Sequence, residues 1–264
     1  MSQFRYFIQL AYCGTAYHGW QIQPNANSVQ ETLEKALSTI LREEIKVTGA
    51  GRTDTGVHAS FFVAHFDCGK VINDTEKLAF RLNSFLPQDI AIQKIFEVDE
   101  EAHARFGAVE RSYKYFVSRE KSAFNNDFVA RHHAVLDIDK MNEAALKLFN
   151  YTDFTSFSKL HTDVKTNNCE VTYAKWEAHG DLMVFTVSAD RFLRNMVRAI
   201  VGTLFQVGSG KISVDRFAEI IELKDRGLAG TSAPASGLYL VDVVYPKEID
   251  DQFVREDSGF FRFL

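Results

Sequence analysis

The sequence predicts an α+β protein of two related halves, each with a mixed, mainly antiparallel sheet and helices packed on one side. Three observations lead there. Short runs of β-branched and aromatic residues recur along the chain, and amphipathic helices with readable caps separate them. The order strand, helix, strand, strand, helix, strand in the first half returns, lengthened, in the second, as ferredoxin-like or RRM-like units would require. No exact sequence repeat joins the halves, so their relation rests on pattern.

Taken in order, "QFRYFIQLAY" alternates Phe4, Tyr6, Ile8 and Leu10 on one face, as a half-buried strand should. In "SVQETLEKALSTILREE", Ser28 and Glu31 form a capping box, and Val29, Leu33, Ala36, Leu37, Ile40 and Leu41 trace one apolar stripe. "IKVTGA", "FFVAHF" and "IAIQKIF" read as strands, and "DTEKLAFRLNSFL" as a helix capped by Asp74 and stopped by Pro87. "EVDEEAHARFGA" is a polar shift, which sets the expected boundary between residues 1–104 and 105–264. Beyond it, "RSYKYFV" predicts a strand, "DKMNEAALKLF" a helix, and "VTYAKWEA" with "LMVFTVSA" a hairpin. "RFLRNMVRAIVGTLF" and "VDRFAEIIELK" predict helices, and "GLYLVDVVY" a last strand.

Composition narrows the class. The 264 residues, 46% hydrophobic and 25% charged, are ordinary globular material, enough for one large core or two modest ones. "MSQFRYFIQL" lacks the basic start and apolar run of a signal peptide, and no run of 18 apolar residues occurs, so a cytoplasmic protein with no membrane partner is expected. Cys13, Cys68 and Cys169 are odd in number and far apart, which predicts reduced thiols and no metal. The formal charge of -5 speaks against a simple nucleic-acid binder. Arg105, Arg111, Lys114, Arg119 and Lys121, with Arg191, Arg194 and Arg198, nevertheless allow a basic face on an acidic body.

The most informative stretch is "GAGRTDTGVHA", residues 49–59. Its Asp54 admits a plain Gly- and Asp-rich turn and three chemistries. A phosphate cradle needs a helix after the glycines, whereas "HASFFVAHFD" reads as strand, and no Gly-Lys-Ser/Thr is present. An aspartic protease dyad would pair Asp54 with the triplet Asp257-Ser258-Gly259, but charged residues precede both triplets where apolar strands should end. What remains is a carboxylate on a tight turn between strands, two residues after Arg52, beside glycines that let a substrate approach the backbone. A second pattern lies in "RFLRNMVRAIVGTL". Leu193, Met196, Val197, Ile200 and Leu204 form an apolar stripe, and Arg191, Arg194 and Arg198 share a flank, a row that suits an anionic partner.

With these residues in view the chain resembles the tRNA pseudouridine synthases of the TruA type. "GAGRTDTGVHA" is their signature, and "YCGTAYHGWQIQP", "RSYKYFV", "DFTSFSK", "FLRNMVRAIVGTL" and "APASGLYLVDVVYP" stand in the family's order, covering almost the whole chain. The family usually has Asp where Cys13 stands and often His where Thr152 stands, departures that touch local contacts and not the nucleophile. The resemblance implies the pseudouridine synthase fold and isomerisation of uridine to pseudouridine at tRNA positions 38, 39 and 40, by a homodimer without cofactor. It implies that Asp54 is the nucleophile, Arg198 its pairing partner, and Tyr113 the platform for the extruded base, its phenol placed to help remove the C5 proton. Arg52 would steer the nucleotide's phosphate, Arg191, Arg194 and Leu238 would complete the substrate-binding set, and His58 would be a local hydrogen-bond partner. The competing function is an RNA-binding or chaperone module on the same scaffold without turnover. The joint presence of Asp54, Tyr113 and Arg198 favours the enzyme.

Overall fold

The computed structural model describes residues 4–159 and 166–255. They divide into two compact units, residues 4–109 with 240–255, and residues 110–239. Both are α+β, with mostly antiparallel strands and helices on one side.

In the first unit β1 (Phe4–Tyr12), α1 (Val29–Leu41), β2 (Val47–Gly49), β3 (His58–Cys68), α2 (Thr75–Phe85) and β4 (Ile90–Val98) come in the predicted order. β1 lies antiparallel between β3 and β4, and β2 pairs with β3. The helices start where their caps foretell. Ser28 accepts a hydrogen bond from the Glu31 amide and Asp74 from the Lys77 amide, each satisfying an amide that the first turn leaves open.

β1 departs from the expected half-burial, since Tyr6, Phe7, Ile8, Gln9 and Leu10 are all fully buried. Tyr6, Ile8 and Leu10 stand opposite Phe66, Ala64 and Phe62 of β3 and face the helices. Phe7 and Gln9 point the other way, with His65, Lys94 and Phe96 as cross-strand neighbours. The segment after residue 244 covers that second face. Tyr245 meets Phe7 edge-on at 5.5 Å, and Phe253 meets Phe61 and Phe96 at 5.5 and 5.2 Å. The Gln9 side chain donates to the Val254 carbonyl at 2.6 Å and accepts from the Val254 amide at 2.9 Å, so a buried polar residue serves as a substitute strand edge. Arg255 closes the segment by donating to Asp242 and Asp250 while lying over the Phe61 ring.

The second unit contains β5 (Glu110–Ser118), β6 (Ala130–Arg131), α3 (Ile138–Lys147), β7 (Val171–His179), β8 (Leu182–Ala189), α4 (Met196–Gly208) and α5 (Val214–Glu222). β8 lies antiparallel between β5 and β7, and the short β6 runs parallel to β5. Tyr115, Phe185 and Trp176 are cross-strand neighbours on one face, and Phe205 of α4 packs on them, 6.1 Å from Tyr115 and 5.9 Å from Trp176. β9 (Leu238–Val244) begins in this unit and continues into the first, where α6 (Lys247–Asp250) comes after it.

α4 differs from its prediction. The helix begins at Met196 and not at Arg191, because Asn195 takes a left-handed conformation (φ 67°) and Met196 N–H closes a turn onto the Leu193 carbonyl. Arg191 and Arg194 therefore precede the helix, and the expected row of three arginines on one helical flank does not exist. Every residue of α4 except Arg198 and Gln206 is buried, so the apolar stripe is in fact almost a full cylinder.

Candidate active site

The turn that carries Asp54 joins β2 to β3. Val57 N–H donates to the Asp54 carbonyl at 3.1 Å, and Gly56, the third residue of that turn, has φ 77°, a conformation that favours glycine. β3 starts at His58, so a strand comes after the glycines and the phosphate-cradle geometry is absent. The other candidate triplet, Asp257 to Gly259, lies outside the described residues. Asp54 is half-buried and Arg52 is exposed.

Neighbouring sequence holds this turn at several points. The Thr53 hydroxyl bonds to the Tyr12 hydroxyl at 2.9 Å, and the Thr53 carbonyl accepts from Trp20 N–H at 3.3 Å. Gly56 N–H donates to the Tyr17 carbonyl at 3.3 Å, and His58 Nδ1 accepts from Gly14 N–H at 3.1 Å. Segment 12–20 approaches so closely that a Cβ on Gly14 would sit 2.1 Å from the Val57 carbonyl oxygen, and one on Gly19 2.4 Å from that of Thr53. Gly49 is equally fixed, since its Cβ would meet Trp20 Nε1 at 2.5 Å. Gly51 is different. A Cβ there meets nothing within 4 Å, so the space beside the backbone is open.

The segment is itself anchored. Tyr17 donates to Asp89 at 2.7 Å, and burial together with that carboxylate pushes its phenol well above the ordinary tyrosine range. Trp20 stacks on Phe62 at 4.1 Å. Tyr12, Gly14, Tyr17 and Trp20 are visible in the sequence only as part of one aromatic and glycine-bearing string; their task as a cradle for residues 53–58 is not. The aromatic spacing within a nine-residue stretch is the available signal.

The remaining sequence-predicted residues lie in the second unit. Arg198, on the first turn of α4, donates from Nε to the Ala233 carbonyl at 2.7 Å while its own carbonyl accepts from Ala233 N–H at 2.9 Å. The Tyr115 hydroxyl donates to the adjacent carbonyl, Pro234, at 3.0 Å. Burial pushes the Tyr115 phenol far above its ordinary range, and the nearby Arg198 guanidinium pulls it back in part. Tyr113, two residues away on the same face of β5, meets Phe192 edge-on at 5.1 Å. Leu238 is buried, Arg194 exposed and Arg191 half-buried, its amide bonded to the Asp190 carboxylate.

The loop that receives Arg198 is locked to α4. A Cβ on Gly202 would lie 1.9 Å from the Thr231 carbonyl oxygen, and Gly230 N–H donates to the Thr203 hydroxyl at 2.9 Å. Asn195 and Arg226 both reach the Ser232 hydroxyl, at 2.7 and 2.9 Å. This frame holds the carbonyl that orients the Arg198 guanidinium. Asp54 and Arg52 thus belong to the first unit, and Tyr113, Arg191, Arg194 and Arg198 to the second.

The Asp54 turn is thus held at several points on an α+β scaffold. The profile of the tRNA pseudouridine synthase family matches residues 9–107 and 144–246. The chain is 60% identical over 250 residues to "tRNA pseudouridine synthase A" of Bacteroides fragilis, across 94% of this chain and 99% of that one. It is 58% identical over 248 residues to the protein of that name from Bacteroides thetaiotaomicron, covering 93% and 92%. To that from Aliivibrio salmonicida it is 42% identical over 251 residues, covering 93% and 94%. These matches make the protein an isomerase. The chain belongs to the tRNA pseudouridine synthase family.

Proposed function

We propose that this protein converts uridine to pseudouridine in tRNA at positions 38, 39 and 40 of the anticodon arm, with Asp54 as the nucleophile. The observation that carries the reading is the turn around Asp54, which neighbouring residues hold at Thr53, Gly56 and His58. In the reaction the N1–C1′ bond breaks, the uracil turns, and C5 bonds to C1′; the proton lost from C5 is balanced by one gained at N1. Such an exchange consumes no donor and changes no oxidation state. A carboxylate serves it by adding to C6 of the base or by capturing C1′ of the ribose, and both routes ask for the same fixed placement.

The other roles derive from that assignment. In this reading Arg198, its guanidinium oriented through Nε, has the role of cation for the reacting carboxylate, and Tyr113 that of the face on which the extruded base rests. Arg52, Arg191 and Arg194 take phosphates, and Leu238 packs on the base. The protein works as a cytoplasmic homodimer.

Incubation with an unmodified tRNA transcript, and then mapping of pseudouridine, tests the activity and its position together. Asp54→Asn keeps size and most hydrogen bonding while removing the anion, so turnover is expected to vanish with tRNA affinity nearly unchanged. Product formed by Asp54→Asn would overturn the nucleophile, and product only outside positions 38 to 40 would overturn the site. Binding without product by the parent protein would favour the chaperone reading.

A further inference from the structure

We infer that Tyr12 is a positioning residue for the reaction, acting through the hydroxyl of Thr53 on the carboxylate next to it. The inference rests on the reading of Asp54 as nucleophile. Thr53 is the residue immediately before Asp54, and it is only 8% exposed. Two of its polar groups are gripped by the 12–20 segment, the hydroxyl by Tyr12 at 2.9 Å and the carbonyl by Trp20 N–H at 3.3 Å. On the other side of Asp54 the chain is held again at Gly56 and His58. Asp54 therefore sits in a turn clamped before and after it.

The clamp is unequal in kind. The contacts made by Trp20, Tyr17 and Gly14 use their own backbone groups, although the one from Gly14 ends on the His58 ring and leaves no room for a Cβ at position 14. Tyr12 to Thr53 is the contact between two side chains, so it depends on sequence. Tyr12 is 4% exposed, and its ring packs 5.5 Å from Phe62 and 6.1 Å from Trp20, which fixes where its hydroxyl stands. A phenol on a rigid ring, bonded to a β-branched hydroxyl whose χ1 is stiff, holds the Thr53 rotamer and so tethers the Cα of the residue before Asp54. Displacement of a reacting group by about 1 Å costs on the order of 100-fold in rate. Loss of the phenol hydroxyl alone should therefore appear in the chemical step while leaving the ring's packing in place.

Single-turnover rates and tRNA affinities of four variants test this. Tyr12→Phe keeps the ring, and Thr53→Val keeps the β-branched shape and the carbonyl. Each is expected to slow the chemical step about 10- to 100-fold, with tRNA affinity within about twofold of the parent and the urea midpoint within experimental scatter. Thr53→Ser retains a hydroxyl and is expected to recover most of the rate. The double variant Tyr12→Phe/Thr53→Val should be no slower than either single one, because both changes remove the same bond. Parent-like rates in Tyr12→Phe, or losses that multiply in the double variant, overturn the inference. Should Tyr12→Phe fold poorly, the comparison of Thr53→Val with Thr53→Ser decides the same question. Asp54→Asn, run alongside, separates the two readings: if it is inactive and Tyr12→Phe is fast, positioning fails and the nucleophile stands, whereas activity in Asp54→Asn removes the nucleophile itself.

Discussion

Mild acid should weaken the first unit chiefly through His65, with a smaller effect of the same sign from its neighbour His103, which burial also holds below the ordinary histidine range. The His65 ring is 6% exposed and stacks beside Phe7 at 6.2 Å, while His103 meets it edge-on at 4.6 Å. Its Nδ1 accepts a hydrogen bond from Ala104 N–H at 3.1 Å, a role open only to the neutral ring. Burial first, then the neighbouring His103 and Arg5, push the imidazole down from 6.5 to about 4, and the Asp67 carboxylate opposes them in part. Because the folded value lies below the unfolded one, the unfolded chain holds the extra proton between pH 6.5 and 4, and stability falls as pH falls. A single site shifted this far loses about 2 kcal/mol between pH 7 and pH 5, an upper figure where solvent reaches the His103 side. The assay is urea unfolding at several pH values, comparing the parent with His65→Asn, whose amide oxygen can replace Nδ1 as acceptor without titrating. The variant should be less stable at pH 7 through lost packing, yet its stability should vary less over this window. Parallel pH curves for the two proteins would refute the assignment. Asp67 is held below the usual carboxylate range chiefly by its bond to Arg5, so its own contribution is lost only further into acid.

Three other outcomes are expected. Gly202→Ala, which would place a Cβ 1.9 Å from the Thr231 carbonyl oxygen, should destabilise by about 2–3 kcal/mol, read as a lower urea midpoint; an unchanged midpoint would mean that the loop gives way freely. Ser28→Ala removes the acceptor for the Glu31 amide and should cost about 1 kcal/mol in the same assay, with a neutral result pointing to solvent as an equal cap. Affinity for tRNA should fall with salt at a slope of about 0.7–0.9 per phosphate contact despite the net charge of -5, and a flat dependence would remove the phosphate roles given to Arg52, Arg191 and Arg194.

Much of the fold was legible because local rules and tertiary structure agree. The Ser28 and Asp74 caps announced α1 and α2, and period-2 runs announced the strands. Where they disagree the reading failed. No helix propensity distinguishes Arg191 to Asn195 from the residues of α4, but Asn195 adopts a left-handed turn whose side chain binds Ser232, 37 residues away. Three amide side chains, Gln9, Asn83 and Asn142, each bond both the N–H and the C=O of one distant residue: Val254, Ile92 and Trp176 respectively. Nothing local marks such residues as structural, and the half-exposed strand expected at Gln9 was the result. At the site, the Asp54 turn could be singled out by its glycines. The cradle of residues 12–20 could not, since its bonds run mostly through backbone atoms that carry no sequence signature.

The covering of Phe7, Gln9 and Phe96 by residues 245–255 has a consequence for synthesis. The ribosome delivers the first 109 residues, with all four strands and both helices of their βαββαβ pattern, well before the residues that close the second face. During that interval one side of the nascent sheet presents aromatic rings and an amide whose partner at Val254 is not yet made. The first unit therefore cannot reach its final packing in the order in which it is translated. Completion awaits residues 245–255, so that removal of this late segment would be a lesion of the amino-terminal half.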